Sequence, residues 1–231
     1  MFSKDVLEGL GIVLSNHQIN QFEVYYQALI VFNEHTNLTR ITDREDVDVK
    51  HFYDSLTLAK SVDLSQVQTL CDMGSGAGFP SIPLKIIYPH LDITIIDSLG
   101  KRIAFLKELI ETLKLDHVHL VYDRIESHAL THQETFDVVT ARALGKLPMI
   151  LEMGIPMLKT EGKLVAYKGQ NHESELIDSK HALHVLGAKL LDEIPYELPY
   201  DMGHRVHLVI LKLKHVKGYP RSFAVMKKKP L

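Results

Sequence analysis

The residues best suited to chemistry lie between Cys71 and Pro80, CDMGSGAGFP, where Asp72 stands two positions before the first of three alternating glycines, Gly74, Gly76 and Gly78. Glycine permits positive φ and lets a ligand approach the backbone, so such a loop can wrap an adenosine moiety with its amides turned inward. An ordinary glycine-rich turn has the same composition, and only the surroundings separate the two. Gln68 to Met73 is a short apolar run suited to a buried strand, and Ser81 to Tyr88 has apolar residues at helical spacing. Asp92 to Asp97 (DITIID) is a second strand ending in a carboxylate. Asp97 lies 23 positions past Gly74, where a carboxylate can accept from both ribose hydroxyls. It can equally cap the helix that begins near Lys101.

A dinucleotide fingerprint would place its third glycine where this chain has Phe79. Alternating glycines behind an acid are instead the spacing of a methyl-donor loop. The elements needed to hold it follow from periodicity. Residues 5 to 14, 17 to 35 and 43 to 59 read as helices, forming a cap over residues 1–60. Short apolar strands then alternate with helices: 68–73, 92–97, 118–122, 136–140, 163–168 and 206–213. This pattern predicts an α/β fold, a doubly wound, mostly parallel sheet with the helical cap at its N-terminus, and its last strand, after the turn at Asp201-Met202-Gly203, closely resembles the antiparallel ending of the seven-stranded, Rossmann-like Class I S-adenosylmethionine-dependent methyltransferase sheet. The core spans 61–215, and 216–231 is a basic tail. Ligands of such sheets lie beyond the carboxyl ends of the strands. Asp123, Arg124, Ile125, Glu126 and Ser127, after the third strand, and Ala141, Arg142 and Ala143, after the fourth, are therefore expected in one crevice with Gly74 and Asp97.

At 231 residues and 45% hydrophobic content the chain can bury a substantial core. We read no membrane span and no signal peptide, and a lone cysteine, Cys71, points to a reducing cytoplasm. Net charge is −3, yet Met202 to Leu231 holds eight basic residues and no acid. That asymmetry, concentrated in GYPRSFAVMKKKPL, suits a polyanion such as RNA; a merely solvated terminus is the bland alternative.

The acceptor is narrowed by what is missing. Methylating the exocyclic amine of adenine commonly uses an Asn/Asp-Pro-Pro-aromatic turn, and this chain has Thr140-Ala141-Arg142-Ala143-Leu144 there. Methylating a pyrimidine carbon requires a cysteine nucleophile, and Cys71 sits within a core strand. Guanine N7 has an in-plane lone pair and needs chiefly alignment and desolvation. No metal is expected: His181 with His184 and His204 with His207 lack accompanying carboxylates or thiols at metal spacing. Met149, Met153 and Met157 read as helix packing.

Taken together, Asn37-Leu38-Thr39, HFYDSL (His51 to Leu56), CDMGSGAGFPSIPL, IDSLGKRIAFL (Ile96 to Leu106), Ala141-Arg142-Ala143, Tyr167-Lys168-Gly169 and Tyr219-Pro220-Arg221 closely resemble the RsmG (glucose-inhibited division protein B) family of bacterial 16S rRNA guanine-N7 methyltransferases. The resemblance covers nearly the whole chain. It implies a cytoplasmic enzyme, read as a monomer, that transfers a methyl group from S-adenosylmethionine to N7 of a guanine in the 530 loop of 16S rRNA, on the small ribosomal subunit, releasing S-adenosylhomocysteine. It places donor contacts at Gly74, Phe79, Ile125, Glu126 and Arg142, joined on geometric grounds by Asp97, Asp72, Gly76 and Gly78. His51, Asp54 and Ser55 fall either at the crevice mouth or at the junction of cap and core. Lys168, closing the fifth strand, is placed facing RNA; Arg142, Lys168, His51 and Asp54 are the positioning candidates, with no catalytic base required. Where the family often has a glycine soon after Tyr-Pro-Arg, this chain has Ser222-Phe223-Ala224-Val225. A non-catalytic RNA-binding protein on the same fold, and a nicotinamide-dependent oxidoreductase, are the alternatives.

Overall fold

The computed structural model describes residues 7–231. Ser15 begins the first long helix, α1 (Asn16–Thr36), with a capping box: its hydroxyl accepts from Gln18 N while Gln18 Oε1 accepts from Ser15 N at 3.0 Å. Asn37 ends it in the left-handed region, with φ 52°. Asp43 caps the next rod, α2, taking the amides of Glu45 and Asp46 on one oxygen. This rod runs through Arg44–Val47, a π-helical Asp48–Tyr53, Asp54–Leu56 and a 3-10 turn Thr57–Lys60. A π segment widens the turn and redirects backbone carbonyls, a device that recurs at functional sites.

The core alternates β1 (Thr69–Met73), α3 (Ser81–Ile87), β2 (Asp92–Asp97), α4 (Gly100–Leu113), β3 (Val118–Tyr122), α5 (Ile125–Thr131), β4 (Phe136–Arg142), α6 (Leu147–Gly154) and β5 (Leu158–Lys168). Then come α7 (His172–Asp178), α8 (Lys180–Val185), β6 (Ala188–Glu197), β7 (His204–Lys212) and α9 (Phe223–Lys228). The sheet order is β3-β2-β1-β4-β5-β7-β6, with β7 antiparallel to both its neighbours. The order reverses at β1 and β4, so the crevice opens above their carboxyl ends. Central strands read as continuous apolar runs because helices cover both faces.

The cap is fused to this core. Phe22, Tyr25, Leu29, Val47 and Phe52 belong to the same buried cluster as Leu70, Ile93 and Ile95 of the sheet. The Phe22 and Phe52 rings lie 5.0 Å apart, and Tyr25 stacks on Phe79 of the glycine loop at 5.3 Å.

Three expectations require correction. The helix expected over 5–14 lies partly outside the described residues; from Leu7 it gives way to turns by Gly11, whose φ is +69°, and 12–14 are not helical. The seventh strand, β6, is absent from the six runs that the sequence pattern marks. It is an edge strand carrying Pro195 and three acids, Asp192, Glu193 and Glu197, so its apolar signal is weak. Finally, β5 starts five residues earlier than expected and β4 runs on through Arg142, which places that arginine at the crevice floor.

Candidate functional site

The loop after β1 is fastened below and open above. Asp72 is wholly buried; its carboxylate accepts from Ser81 N at 3.2 Å and from Thr140 Oγ1 at 3.3 Å, and burial pushes it up to about 7. It lines neither crevice cavity, so its placement as a donor contact is corrected: Asp72 braces the first turn of α3. Gly78 is corrected too. At φ +97° a Cβ there would stand within 2.9 Å of Ile82, Leu106 and Tyr25, so the glycine is required by packing. Gly76, at φ +64°, has nothing within 4 Å of a virtual Cβ and faces open space.

Two cavities meet over Gly74 and Leu144. One, of ≈ 220 Å³, is bounded by Asp97, Ile125, Glu126, Met149, Met153 and Phe223 among others. The second, of ≈ 320 Å³, lies beneath the cap between Thr39, His51, Gly76, Phe79 and Arg142. Gly74, Arg102 and Leu144 belong to both, so the crevice is continuous. Of the residues expected after the third and fourth strands, Arg124, Ile125, Glu126, Arg142 and Ala143 reach it; Asp123 and Ser127 are exposed outside it, and Ala141 is buried below.

Of the two roles left open by its sequence, Asp97 fills the cap, and its carboxylate lies beside the glycine loop. Its Oδ1 accepts from Leu99 N at 2.9 Å, capping the turn into α4, while Oδ2 accepts from Gly76 N at 3.3 Å and pairs with Arg102 at 3.0 Å. The carboxylate is 2% exposed yet borders the first cavity. Arg102 lies inside the IDSLGKRIAFL stretch, in the first turn of the helix that follows Asp97, where its sequence position alone does not mark it as a cavity residue. Met149 and Met153, whose spacing reads as packing, prove also to be cavity wall.

Arg142 joins sheet to cap. Its Nη1 donates to Asp54 Oδ2 at 2.8 Å and to the Lys50 carbonyl at 3.0 Å, and its Nη2 lies 2.9 Å from His51 Nδ1. Arginine has no acceptor, so His51 Nδ1 must accept. The ring proton then sits on Nε2, 3.0 Å from Thr39 Oγ1, which also accepts from Ile41 N. Burial, and next the Arg142 charge, press His51 down to about 3, so the ring is a fixed neutral imidazole. It stacks on Phe79 at 4.4 Å, and the Arg142 guanidinium lies 5.2 Å from the same ring. Asp54 Oδ1 accepts from Tyr196 on β6 at 2.8 Å. His51 thus occupies both places proposed for it, junction and cavity margin, whereas Asp54 lies at the junction, behind the cavity wall. Ser55 is buried inside α2, its hydroxyl donating to the His51 carbonyl at 2.6 Å.

Lys168 does not face RNA in this structure. Its side chain is 8% exposed and donates to the Gly145 carbonyl and Glu175, each at 2.8 Å, tying the loop after β4 to α7. Cys71 is wholly buried with its thiol pushed up by burial, as befits packing. His207 is buried between Ser61 and Thr57. Among the described residues no three His, Cys, Asp or Glu side chains are grouped to hold a metal ion, and no helix is long and apolar enough to cross a membrane.

Comparison with known proteins bears on the family and the fold. The model of the family GidB, rRNA small subunit methyltransferase G, matches residues 18–194. The chain is 51% identical over 222 residues to the ribosomal RNA small subunit methyltransferase G of Acholeplasma laidlawii, covering 96% of each chain. It is 45% identical over 224 residues to that of Bacillus subtilis, covering 96% of this chain and 94% of the relative. Among solved structures, TYW2 of M. jannaschii in complex with AdoMet superposes with TM-score 0.52 at 20% identity, over 64% of this chain and 69% of that one. A 16S rRNA adenine-N1 methyltransferase from Catenulisporales acidiphilia gives TM-score 0.54 at 15% identity, over 65% and 87%. At such identities these structures bear on the fold, that of Class I methyltransferases. The sequence relatives go further, for they align over nearly the full length, the family match over 18–194 takes in the glycine loop, Arg142 and most of the cap, and the chain belongs to the rRNA small subunit methyltransferase G family.

Proposed function

We propose that this chain methylates N7 of a guanine in the 530 loop of 16S rRNA, using S-adenosylmethionine, and that it works as a monomer in the cytoplasm. The observation that carries the reading is the two-part crevice at the strand ends, closed on its acceptor side by a cap that shares its core.

The residues fit the donor. The ≈ 220 Å³ cavity sets two sparsely exposed carboxylates, Asp97 and Glu126, among apolar walls, the arrangement that suits a nucleoside with hydroxyl and amine donors. Asp97, Ile125 and Glu126 would hold that nucleoside, with Gly74 and Gly76 giving it room at the backbone. When bound, S-adenosylmethionine supplies an electrophilic methyl on a positively charged sulfur.

The rest is positioning by the protein's own groups. Phe79, held flat between His51 and Tyr25, gives the second cavity a rigid apolar floor. Attack by N7 releases no proton, so no base is needed, and the neutral His51 neither supplies nor takes one at working pH. Arg142, balanced by Asp54, fixes the loop and cap without presenting an uncompensated cation to a cationic donor. Leu38, Thr39 and His51 of the cap line one side of this cavity and limit the water that reaches it.

To test this reading, labelled donor is incubated with small ribosomal subunits from cells lacking the modification. Label in 16S rRNA is expected; a protein that binds RNA but transfers no label would favour the non-catalytic alternative.

A further inference from the structure

The C-terminal segment reads in the sequence as a basic tail, and the structure gives it a second task. From Tyr219 to Leu231 it is welded to the core. Gln133 Nε2 donates to the Tyr219 carbonyl at 2.8 Å. Arg221 grips Glu152 with Nε and Nη2, each at 2.6 Å, and with its backbone N–H at 3.0 Å; the Glu152 side chain is only 1% exposed. Further along, Met226 is wholly buried in the cluster that also contains Met153, and Leu231 packs against it. Arg221 also donates to the Lys229 carbonyl at 3.1 Å, which closes the segment on itself.

Held in this way, α9 puts its first residue, Phe223, on the wall of the ≈ 220 Å³ cavity. Among the described residues lining that cavity it is the sole aromatic ring. Its position is set from inside the site: Glu126 Oε1 accepts from Arg124 Nε at 2.5 Å, and the Arg124 guanidinium lies 4.2 Å from the centre of the Phe223 ring. Phe223 keeps 36% of its surface exposed while lining the cavity, so one side of it is open to a ligand. Purine faces are apolar and polarisable and are commonly held against aromatic rings. The same cavity is lined by Ile125, Met149 and Met153, which can cover the other face.

We propose that Phe223 is a donor-binding residue, the aromatic wall for the adenine of S-adenosylmethionine, and that the nucleoside half of the site is incomplete without the C-terminal segment. This rests on the donor assignment made above. It gives Arg221 and Glu152 a positioning role, since they hold the segment that presents the ring.

The test is calorimetric titration of the full chain with S-adenosylhomocysteine, alongside urea unfolding. Phe223→Ala should weaken binding about tenfold or more, the loss expected when one stacking face is removed, with the unfolding midpoint unchanged. Phe223→Tyr should bind like the unaltered protein, and Phe223→Leu, which keeps apolar volume without a ring, should fall between. If Phe223→Ala binds within twofold of the unaltered chain and is equally stable, the segment only packs and the inference is wrong. If the unaltered chain does not bind S-adenosylhomocysteine at all, the donor assignment itself falls, and the inference with it.

Discussion

Asp54→Asn isolates the electrostatics of the crevice. Asparagine keeps the shape and can still accept from Tyr196, but it removes the negative charge 2.8 Å from Arg142 Nη1. Both partners are largely buried, with side chains 15% and 5% exposed, so leaving the guanidinium uncompensated should cost about 3 kcal/mol of folding stability, at the lower end for a broken buried pair because the Lys50 carbonyl and His51 still accept. The larger point concerns ligands. A sphere of the ≈ 320 Å³ volume is roughly 8 Å across, and two unit charges that far apart repel by about 2 kcal/mol at an effective dielectric of about 20. S-adenosylmethionine has a positive sulfur and S-adenosylhomocysteine a neutral one, so the substitution should penalise the first alone. Their ratio of dissociation constants should shift by about 30-fold against the donor. Calorimetric titration of both ligands into both proteins reads it directly. An unchanged ratio with a folded Asp54→Asn protein would refute the claim that Asp54 neutralises the acceptor-side wall.

The glycines separate packing from ligand access: Gly78→Ala combines a positive φ with contacts under 3 Å and should cost about 3 kcal/mol in urea unfolding, whereas Gly76→Ala should cost only about 1 kcal/mol while still weakening donor binding. Equal losses in the two would contradict the assignment of Gly78 to packing. Asp72 sets a pH dependence, because its folded value near 7 exceeds the unfolded value near 3.8. The folded state binds the extra proton between these limits, so stability from this group falls as pH rises through that window. Asp72→Asn removes the titration, and its stability relative to the unaltered chain should improve by about 3 kcal/mol from pH 5 to pH 8; a difference that ignores pH would show that Asp72 is ionised throughout. Changing Lys227, Lys228 and Lys229 to Gln should lower the salt slope of RNA binding by about one for each phosphate that is no longer neutralised, leaving S-adenosylhomocysteine affinity unchanged. An unaltered slope would remove these lysines from the RNA interface.

Local pattern makes much of this legible. Strand, glycine loop, helix and terminal acid stand in one contiguous stretch, so Gly74, Gly76 and Asp97 are readable, as is the strand-end position of Arg142. The partners of these groups are not, because they come from distant sequence: Asp54 and His51 reach Arg142 from the cap, and Tyr196 reaches Asp54 from an edge strand whose acids and proline hide it. Asp72 carries the same motif signal as its neighbours but points below the loop, a distinction of side-chain direction within a strand that spacing alone does not resolve. Lys168 escapes the pattern for a related reason: at a strand end a lysine can turn outward or fold back onto a carbonyl and a glutamate, and only the fold supplies Gly145 and Glu175. Phe223 is hidden deepest, in a stretch whose basic charge is its dominant signal.

The most direct test of the central claim is to map the product. Small subunits from cells lacking the modification, treated with the protein and S-adenosylmethionine, are analysed by nucleoside mass spectrometry of 530-loop fragments and by the strand scission that N7-methylguanosine undergoes with borohydride and aniline. The account predicts one new N7-methylguanosine confined to that loop and lost on boiling the protein. Methylation at another atom or in another region of 16S rRNA, or none with protein that binds the donor, would contradict it.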